Sequence, residues 1–588
     1  MKALSLFTTV FIGFILFANL NYVKSASTLS VDCNNKLRKA THCASGSLYG
    51  LIENVPADFD SLVKPLRPYV FRNPARGANG NQHPFGDAIK VAKRLTASPG
   101  ALMSVDLADI LPNWPYRWPG MNNWLNEIKS FIADKKASGL TNWYGLEPWN
   151  EPDGTWKDAD GIIFNQLWKQ TYDVIRQNDP DEKIIGPCYS WYQENKLKDF
   201  LQFTKSNNCI PDIICWHELS GIEGVSSHLK SYRNLEKSLG ITELPITINE
   251  YCDAKHELEG QPGSSARFIG KFERYKVDSA MITWWFVPYP GRLGSLLASN
   301  TQKGAGWFLY KWYGDMEGDM VYVTPPNDNS AQVDGAACVD SEKESISFIF
   351  GGPNDGSINA DFKNIPSFIG SVANVKVEKV DWVSKDTVSN GPSTMFEKKY
   401  NVNNGQLSIN IPGTNGNSGY HVYITKGDGS GGDVEDPDTN HNTNPSTNYE
   451  GTFKIVNRHS SKVLGVTSDS TANGANVCQW TDNGKASQQW KISNEGNGYK
   501  IINVNANKAL DVDNSSLKDG GNVLLWSENG DANQRWNIEE VGDGYVTISN
   551  VNSGKLLDVD NGSMSDGGNV LQWANNGDAN QQWKLVPV

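Results

Sequence analysis

Beyond its first twenty residues, the 588-residue sequence has no apolar run long enough for a membrane-spanning helix. It is short of positive charge. Lys and Arg number 53 against 66 Asp and Glu, leaving a formal charge of -13, a balance that repels phosphate backbones and argues against nucleic acid as a partner. Histidine and cysteine are scarce, at eight each. No Cys-x-x-Cys pair or His/Cys cluster has zinc-ligand spacing, so no metal is expected, and no organic cofactor is implied. Eight cysteines in a secreted chain permit disulfides in many pairings, and Cys33 and Cys43 lie close enough to staple the mature N-terminus. Tryptophan, by contrast, is abundant: 20, level with 21 Phe and 21 Tyr. Flat aromatic faces suit the C–H faces of sugars, which leans toward carbohydrate, although Trp-rich cores account for part of the number.

The length predicts three or four domains. Met1 and Lys2 precede an apolar run over 3–20, and the small residues Ser25, Ala26 and Ser27 follow. This pattern reads as a secretory signal over 1–26, with an uncleaved anchor as the alternative, and the mature chain is expected to be soluble and extracellular. Residues 427–448 hold one aliphatic residue, Val434, among Gly, Asp, Asn, Ser, Thr and Pro. Such a stretch buries too little to offset its chain entropy and reads as a flexible linker.

After the linker the sequence repeats. Gln-x-Trp recurs at Gln488/Trp490, Gln534/Trp536 and Gln581/Trp583, and a further Trp precedes each, at Trp480, Trp526 and Trp573. KALDVDNSSLKDGGNVLLW returns almost verbatim as KLLDVDNGSMSDGGNVLQW. Short β-like runs between Gly/Asn turns make each unit all-β, and three copies share one core. Residues 449–588 resemble the ricin-type β-trefoil of family-13 carbohydrate-binding modules. The resemblance implies two sugar pockets, Asp511/Trp526/Asn533 and Asp558/Trp573/Asn580, each a carboxylate for vicinal hydroxyls, a ring for the sugar face and an amide. Repeat one has Gly465 and Ser487 instead, and is expected to be degenerate. The alternative is that Asp511 and Asp558 only cap turns.

Upstream, residues 317–426 alternate with period two between Gly/Asn/Pro turns and predict an antiparallel β-sandwich. Residues 27–316 alternate strand-like runs with amphipathic stretches. Eight such units, beginning with LYGLIENV, have the count and size of a (β/α)8 TIM barrel, whose chemistry sits at the C-terminal strand ends. There the sequence places two glutamates, each preceded by Asn: Glu151 in WNEP and Glu250 in INEY. Glycoside cleavage needs one carboxyl to protonate the leaving oxygen and a second to act on the anomeric carbon.

The run GLEPWNEPDGTW over 145–156, Asn249-Glu250, Trp284-Trp285 and GAGWFLYKWYGDM resemble the clan-A glycoside hydrolases, most closely family 39. That family includes β-xylosidases, α-L-iduronidases and arabinosidases. The resemblance implies Glu151 as acid/base and Glu250 as nucleophile of a retaining hydrolase. Asn150 is expected on the sugar 2-hydroxyl, Arg72 holding Glu250 ionised, and His217 bridging the carboxylates and substrate. Trp284 or Trp285 floors the sugar subsite, the other being core. Trp114, Tyr116 and Trp118 form the pocket rim or pack. Glu53 and Glu218 are acidic residues expected to stand outside catalysis, with contact to substrate hydroxyls as the alternative. The expected substrate is a plant cell-wall polysaccharide or its side chains, containing xylose or arabinose, to which the trefoil tethers the enzyme. An endo-acting clan-A glycanase and a non-catalytic carbohydrate-binding protein are the alternatives.

Overall fold

The structure, a computed structural model, describes residues 27–77, 85–157, 161–253, 258–283, 291–354, 356–428, 434–435, 449–494, 498–542 and 545–588. The expected signal over 1–26 and most of the linker over 427–448 lie outside the described residues. The described residues fall into two compact units, one on either side of the linker.

In the first unit the opening strand, β1 (Ser27–Lys39), belongs to a large sheet taken up below. Then come β2 (Val70–Pro74), β3 (Leu102–Asp106), β4 (Trp143–Glu147), β5 (Ile185–Tyr189), β6 (Ile213–Trp216), β7 (Ile246–Tyr251) and β8 (Ser279–Ile282). β2 to β4 pair in parallel, and so do β5 to β8. Parallel bridges link Leu146 to Ile184, Leu48 to Arg72 and Ser47 to Ile282, so the pairings run in a closed circuit. Of LYGLIENV (48–55), expected as the first strand, only Leu48 forms a bridge, and the other bridge falls on Ser47 just before it.

Parallel neighbours require long crossovers, and helices such as Met121–Ala137, Phe164–Asn178 and Val225–Ser238 supply them. In Phe164–Asn178 the buried residues Leu167, Trp168, Thr171, Val174 and Ile175 follow the helical repeat and form one face. β2, β5, β6 and β7 are buried at every position, as expected of strands covered on both faces. This placement sets the strand ends, and with them the site.

The remainder of this unit is one continuous sheet of β9 (Asp319–Thr324), β10 (Asp334–Asp340), β11 (Ser345–Gly351), β12 (Ser357–Lys363), β13 (Val372–Val380), β14 (Ser393–Asn401), β15 (Leu407–Pro412) and β16 (Gly419–Lys426), with β1 inserted. Its order is β15-β12-β1-β9-β10-β11-β16-β13-β14, ending on Val434–Glu435. Leu29, Phe348, Ile358, Val375 and Ile409, from strands well apart in that order, meet in one buried cluster, so the sheet curls around its own core.

The structure corrects two expectations here. Residues 27–39 are read above as the start of the barrel, yet β1 runs parallel to β12 and antiparallel to β9, because Leu29, Val31 and Cys33 alternate into the sheet core. Cys33 and Cys43 do not pair: both are buried free thiols, and they sit in different apolar clusters.

In the second unit, the strands from Gly451–Asn457 to Trp583–Pro587 form a single sheet network. Trp490, Trp536 and Trp583 are fully buried. Their indole N–H groups donate to Leu464, Leu510 and Leu557 at 2.9 Å each, the same bond repeated three times. Trp536→Ala is expected to cost about 3–5 kcal/mol of this unit's stability through the cavity it opens. Chemical denaturation followed by Trp fluorescence measures it, and a cost below about 1 kcal/mol would remove these residues from the core.

Candidate active site

Arg72 on β2 is the hub of a buried cluster at the C-terminal ends of the parallel strands, where α/β sheets bind ligands. Its Nε donates to Glu147 Oε2 at 2.7 Å and its Nη1 to Glu250 Oε1 at 2.7 Å. Its Nη2 donates to Asp106 Oδ2 at 2.8 Å and to Asn150 Oδ1 at 3.0 Å. Guanidinium presents only donors, so the Asn150 amide must turn its oxygen inward, which leaves its NH2 end to donate to a ligand. Glu147 is held further by Ser104 Oγ at 2.6 Å and Asn249 Nδ2 at 2.8 Å. Burial by itself would depress the Arg72 pKa, but Glu147, Asp106 and Glu250 outweigh it and drive it well up.

Glu151 follows β4 and has a left-handed backbone, φ 49°. That conformation costs a non-glycine residue of order 1–2 kcal/mol, so it must be held. The Glu151 N–H donates to Cys188 O at 2.9 Å, and the Gly154 and Thr155 N–H groups donate to Glu151 O at 2.9 Å each. Thr155 Oγ1, which accepts the Trp149 indole N–H at 2.9 Å, donates to Asn150 O at 2.7 Å. Pro152 starts the short helix Pro152–Thr155, its φ already suited to the first helical position.

His217, directly after β6, bridges the two glutamates. Its Nδ1 lies 3.0 Å from Glu151 Oε1 and its Nε2 lies 3.7 Å from Glu250 Oε1. One oxygen from each glutamate and one ring nitrogen all lie within 4.8 Å of one another. Burial would lower the His217 pKa, but Glu250 and Glu151 outweigh it and the net direction is up. Glu250 is also raised: burial leads, with Glu151 and Glu147 adding to it, against the pull of His217 and Arg72. Arg72 thus contacts Glu250, but its pull only partly offsets the burial.

Glu151, His217 and Glu250 are also a set that could hold a cation. Arg72 Nη1, 2.7 Å from Glu250 Oε1, already sets a fixed positive charge against that ligand atom, which disfavours a second cation there.

The strand ends therefore bring together Arg72, Asn150, Glu151, His217 and Glu250. Trp284 and Trp285 lie outside the described residues. Tyr116 is buried against Trp149, with ring centroids 5.1 Å apart, and its hydroxyl donates to Asp109 at 2.9 Å. It is a packing residue, whereas Trp114 stays exposed. Glu53 accepts the Gly86 and Asp87 N–H groups, and Glu218 accepts the Trp216 indole N–H at 2.7 Å and faces His228. The sequence reading missed Asp106, Glu147 and the Asn249 amide; all three end or nearly end a strand, which was the available signal.

In the trefoil unit, Gln534 Nε2 donates to Asp511 Oδ2 at 2.7 Å and Gln581 Nε2 to Asp558 Oδ2 at 2.8 Å. Asn580 Nδ2 reaches Asp558 Oδ1 at 3.1 Å, while Asn533 Nδ2 bonds Val512 O at 3.1 Å. Trp526 and Trp573 are 43% and 42% exposed. Burial raises both Asp511 and Asp558 to about 6, against the pull of Gln534 and Gln581. In repeat one Asp469, four residues beyond Gly465, takes Ser487 Oγ and Lys485 Nζ at 2.6 Å each. Its carboxylate is thus tied up in an ion pair.

Residues 440–526 and 532–588 match the family described as Ricin-type beta-trefoil lectin domain-like. The chain is 26% identical over 475 residues to a 3-O-beta-L-arabinopyranosyl-alpha-L-arabinofuranosidase of Bifidobacterium pseudocatenulatum, covering 68% of this chain and 48% of that protein. It is 27% identical over 468 residues to a 3-O-alpha-D-galactosyl-alpha-L-arabinofuranosidase of Bifidobacterium longum subsp. longum, covering 68% and 40% respectively. The chain thus spans half or less of the length of these curated relatives. A monomeric beta-xylosidase from Caulobacter crescentus CB15 shares the fold at 16% identity, with a TM-score of 0.51 over 68% of this chain and all of that one. N2152 from Neocallimastix frontalis is 71% identical, with a TM-score of 0.68 over 68% of this chain and 100% of its own. At that identity over the whole of N2152, the chain belongs to the same family as that protein, with a ricin-type β-trefoil lectin-like domain at its C-terminal end.

Proposed function

We propose that the protein is a secreted retaining glycoside hydrolase of the clan-A, family-39 type, with the closed circuit of parallel strands as a (β/α)8 barrel. One observation carries the reading: carboxylate oxygens of Glu151 and Glu250 lie within 4.8 Å of each other across the strand ends. A double displacement needs its carboxyl groups about 5–5.5 Å apart, whereas single displacement leaves room for a water at about 6.5–9.5 Å.

In this mechanism Glu250 attacks the anomeric carbon while Glu151 gives its proton to the leaving oxygen. Glu250 becomes an ester and loses its charge, so no anion faces Glu151 in the second step. Glu151 then takes a proton from water as that water attacks the anomeric carbon and frees Glu250. His217, bonded to Glu151 and near Glu250, positions both and stabilises the charge on Glu250 before it attacks. Asn150, oriented by Arg72, donates to the 2-hydroxyl, a bond that strengthens as the ring gains oxocarbenium character.

The names of the curated relatives favour an arabinose-containing glycan, and the sequence resemblance adds xylose. A panel of aryl α-L-arabinofuranosides and β-D-xylopyranosides with arabinoxylan tests the reading. It predicts release of at least one pentose. No release from any of them, with the polysaccharide still bound, would favour a non-catalytic binding protein. Internal cleavage of the polymer would favour an endo-acting glycanase.

The trefoil is proposed to hold the enzyme on polysaccharide through Asp511/Trp526/Asn533 and Asp558/Trp573/Asn580, since covalently joined weak sites gain from high local concentration. With both aspartates near 6, protonation below that pH removes a charged acceptor for sugar hydroxyls. Retention on insoluble arabinoxylan is expected to be strong at about pH 7.5 and to fall several-fold at about pH 5. Asp511→Asn/Asp558→Asn should bind weakly at both. Equal retention by the unsubstituted protein at the two pH values would exclude the carboxylates as the binding groups.

A further inference from the structure

A cavity of about 400 Å³ opens between the helix Ala305–Gly314 and the curled sheet, away from the strand-end cluster. The alternation of the strands builds it. Ile346, Phe348, Val375, Val377, Val422 and Ile424 turn into the sheet's apolar core. Ser345 and Ser347 of β11, Lys376 and Glu378 of β13, and His421 and Tyr423 of β16 face the other way and line the cavity. Trp312 of the helix closes one wall, its ring centroid 5.1 Å from that of His421.

His421 is the unusual group. It is more than nine-tenths buried, and its Nε2 shares a 2.8 Å hydrogen bond with Ser347 Oγ. Among the described residues its Nδ1 has no hydrogen-bond partner. The nearby carboxylate oxygen, Glu378 Oε2, stands at 3.6 Å, too far for one. A buried ring nitrogen without a partner is costly. A hydroxyl satisfies it in a way few groups can, accepting from Nδ1–H while donating to Glu378.

The other lining groups narrow the occupant. Each lining carboxylate is already ion-paired, Asp315 with Lys311, Glu317 with Arg67 and Lys343, Asp340 with Lys343 and Glu378 with Lys376, so the lining has no net charge to draw in an ion. Among the described residues, ligand atoms close enough to chelate a metal occur only at Glu151, His217 and Glu250, so these carboxylates do not form a cation cage. Charged walls disfavour an apolar guest. An aromatic wall beside carboxylate, imidazole and hydroxyl groups suits a neutral polyhydroxylated ring.

We propose that this cavity is a binding site for a neutral saccharide unit, separate from both the strand-end cluster and the trefoil, with His421 and Glu378 gripping one hydroxyl and Trp312 and Tyr423 the ring face.

Carbene footprinting of the full chain read by mass spectrometry tests this, because it reports each site separately. The probes are D-xylose and L-arabinose up to about 100 mM, well above a millimolar dissociation constant, with calcium chloride and sodium phosphate as separate arms. Labelling of the peptide carrying His421 and Tyr423 is expected to fall about two-fold or more with a sugar and not with either salt. The fall should disappear in Glu378→Gln and in His421→Phe, with unchanged thermal midpoints and with protection at Trp526 and Trp573 intact. Three results would overturn the proposal: unchanged labelling at this peptide with both sugars, protection by a salt in place of a sugar, or sugar protection that survives both substitutions.

Discussion

Glu250→Ala is expected to lower kcat/KM on an aryl pentoside by about 10⁴–10⁶-fold, or about 5.5–8 kcal/mol of transition-state stabilisation. The loss should be large because the proposed double displacement gives this carboxylate the covalent bond, and among the described residues no other carboxylate joins Glu151 and His217 within 4.8 Å. Glu147, the other glutamate on Arg72, is fully buried and already takes bonds from Arg72, Ser104 and Asn249. Azide, small enough for the vacated space, should restore part of the rate and yield a glycosyl azide of inverted configuration.

Stability separates this loss from misfolding. Burial raises the Glu250 pKa in the folded protein. An acid raised on folding binds more protons folded than unfolded between its two pKa values, so ionising it lowers stability as pH rises through that window. At neutral pH Glu250 therefore opposes folding, and Glu250→Gln should leave the thermal midpoint unchanged or raise it. A fall of many degrees together with modest activity loss would make Glu250 a structural group.

The second large effect is at Glu151. Glu151→Ala is expected to cost about 10²–10⁴-fold on substrates with poor leaving groups, the usual range for a general acid. An activated aryl leaving group departs with little protonation, so its first step should suffer far less and the glycosyl-enzyme should accumulate. The pH profile should change as well. On the proposed mechanism the unsubstituted protein should have an acid limb set by Glu250 ionisation and lying above the ordinary carboxylate value, because that pKa is raised. Activity should rise with pH through this limb and fall at higher pH once the proton needed by the leaving oxygen is no longer held at the site. Glu151→Ala should abolish the falling limb on activated substrates. An unchanged bell-shaped profile would assign the proton to another group.

Much of the site was legible because strand-end chemistry is local in sequence. Asn150-Glu151-Pro152 and Asn249-Glu250 mark themselves as polar residues ending apolar strands. Glu147 and Asp106 carry the same signal, but their role depends on meeting Arg72 from three different strands, and nothing in a linear sequence shows which strand ends converge. The 20 tryptophans divide as composition alone cannot: Trp124, Trp149, Trp168, Trp216 and the three Gln-x-Trp rings are buried, while Trp480, Trp526 and Trp573 are exposed. The trefoil repeats were legible because each repeat predicts the next. β1 was not: its apolar alternation fits any sheet, and its partners β9 and β12 lie roughly 300 residues away. The cysteines misled because proximity in sequence ignores that strand alternation sends Cys33 into one core and Cys43 into another.

The separation of Glu151 and Glu250 has a stereochemical consequence that proton NMR reads within the first minutes of hydrolysis, before mutarotation. The pentose released from an aryl pentoside by the full chain should first appear with the anomeric configuration of the substrate. First appearance of the opposite anomer would mean a single displacement by water, and two carboxylates this close would then have to be doing something else.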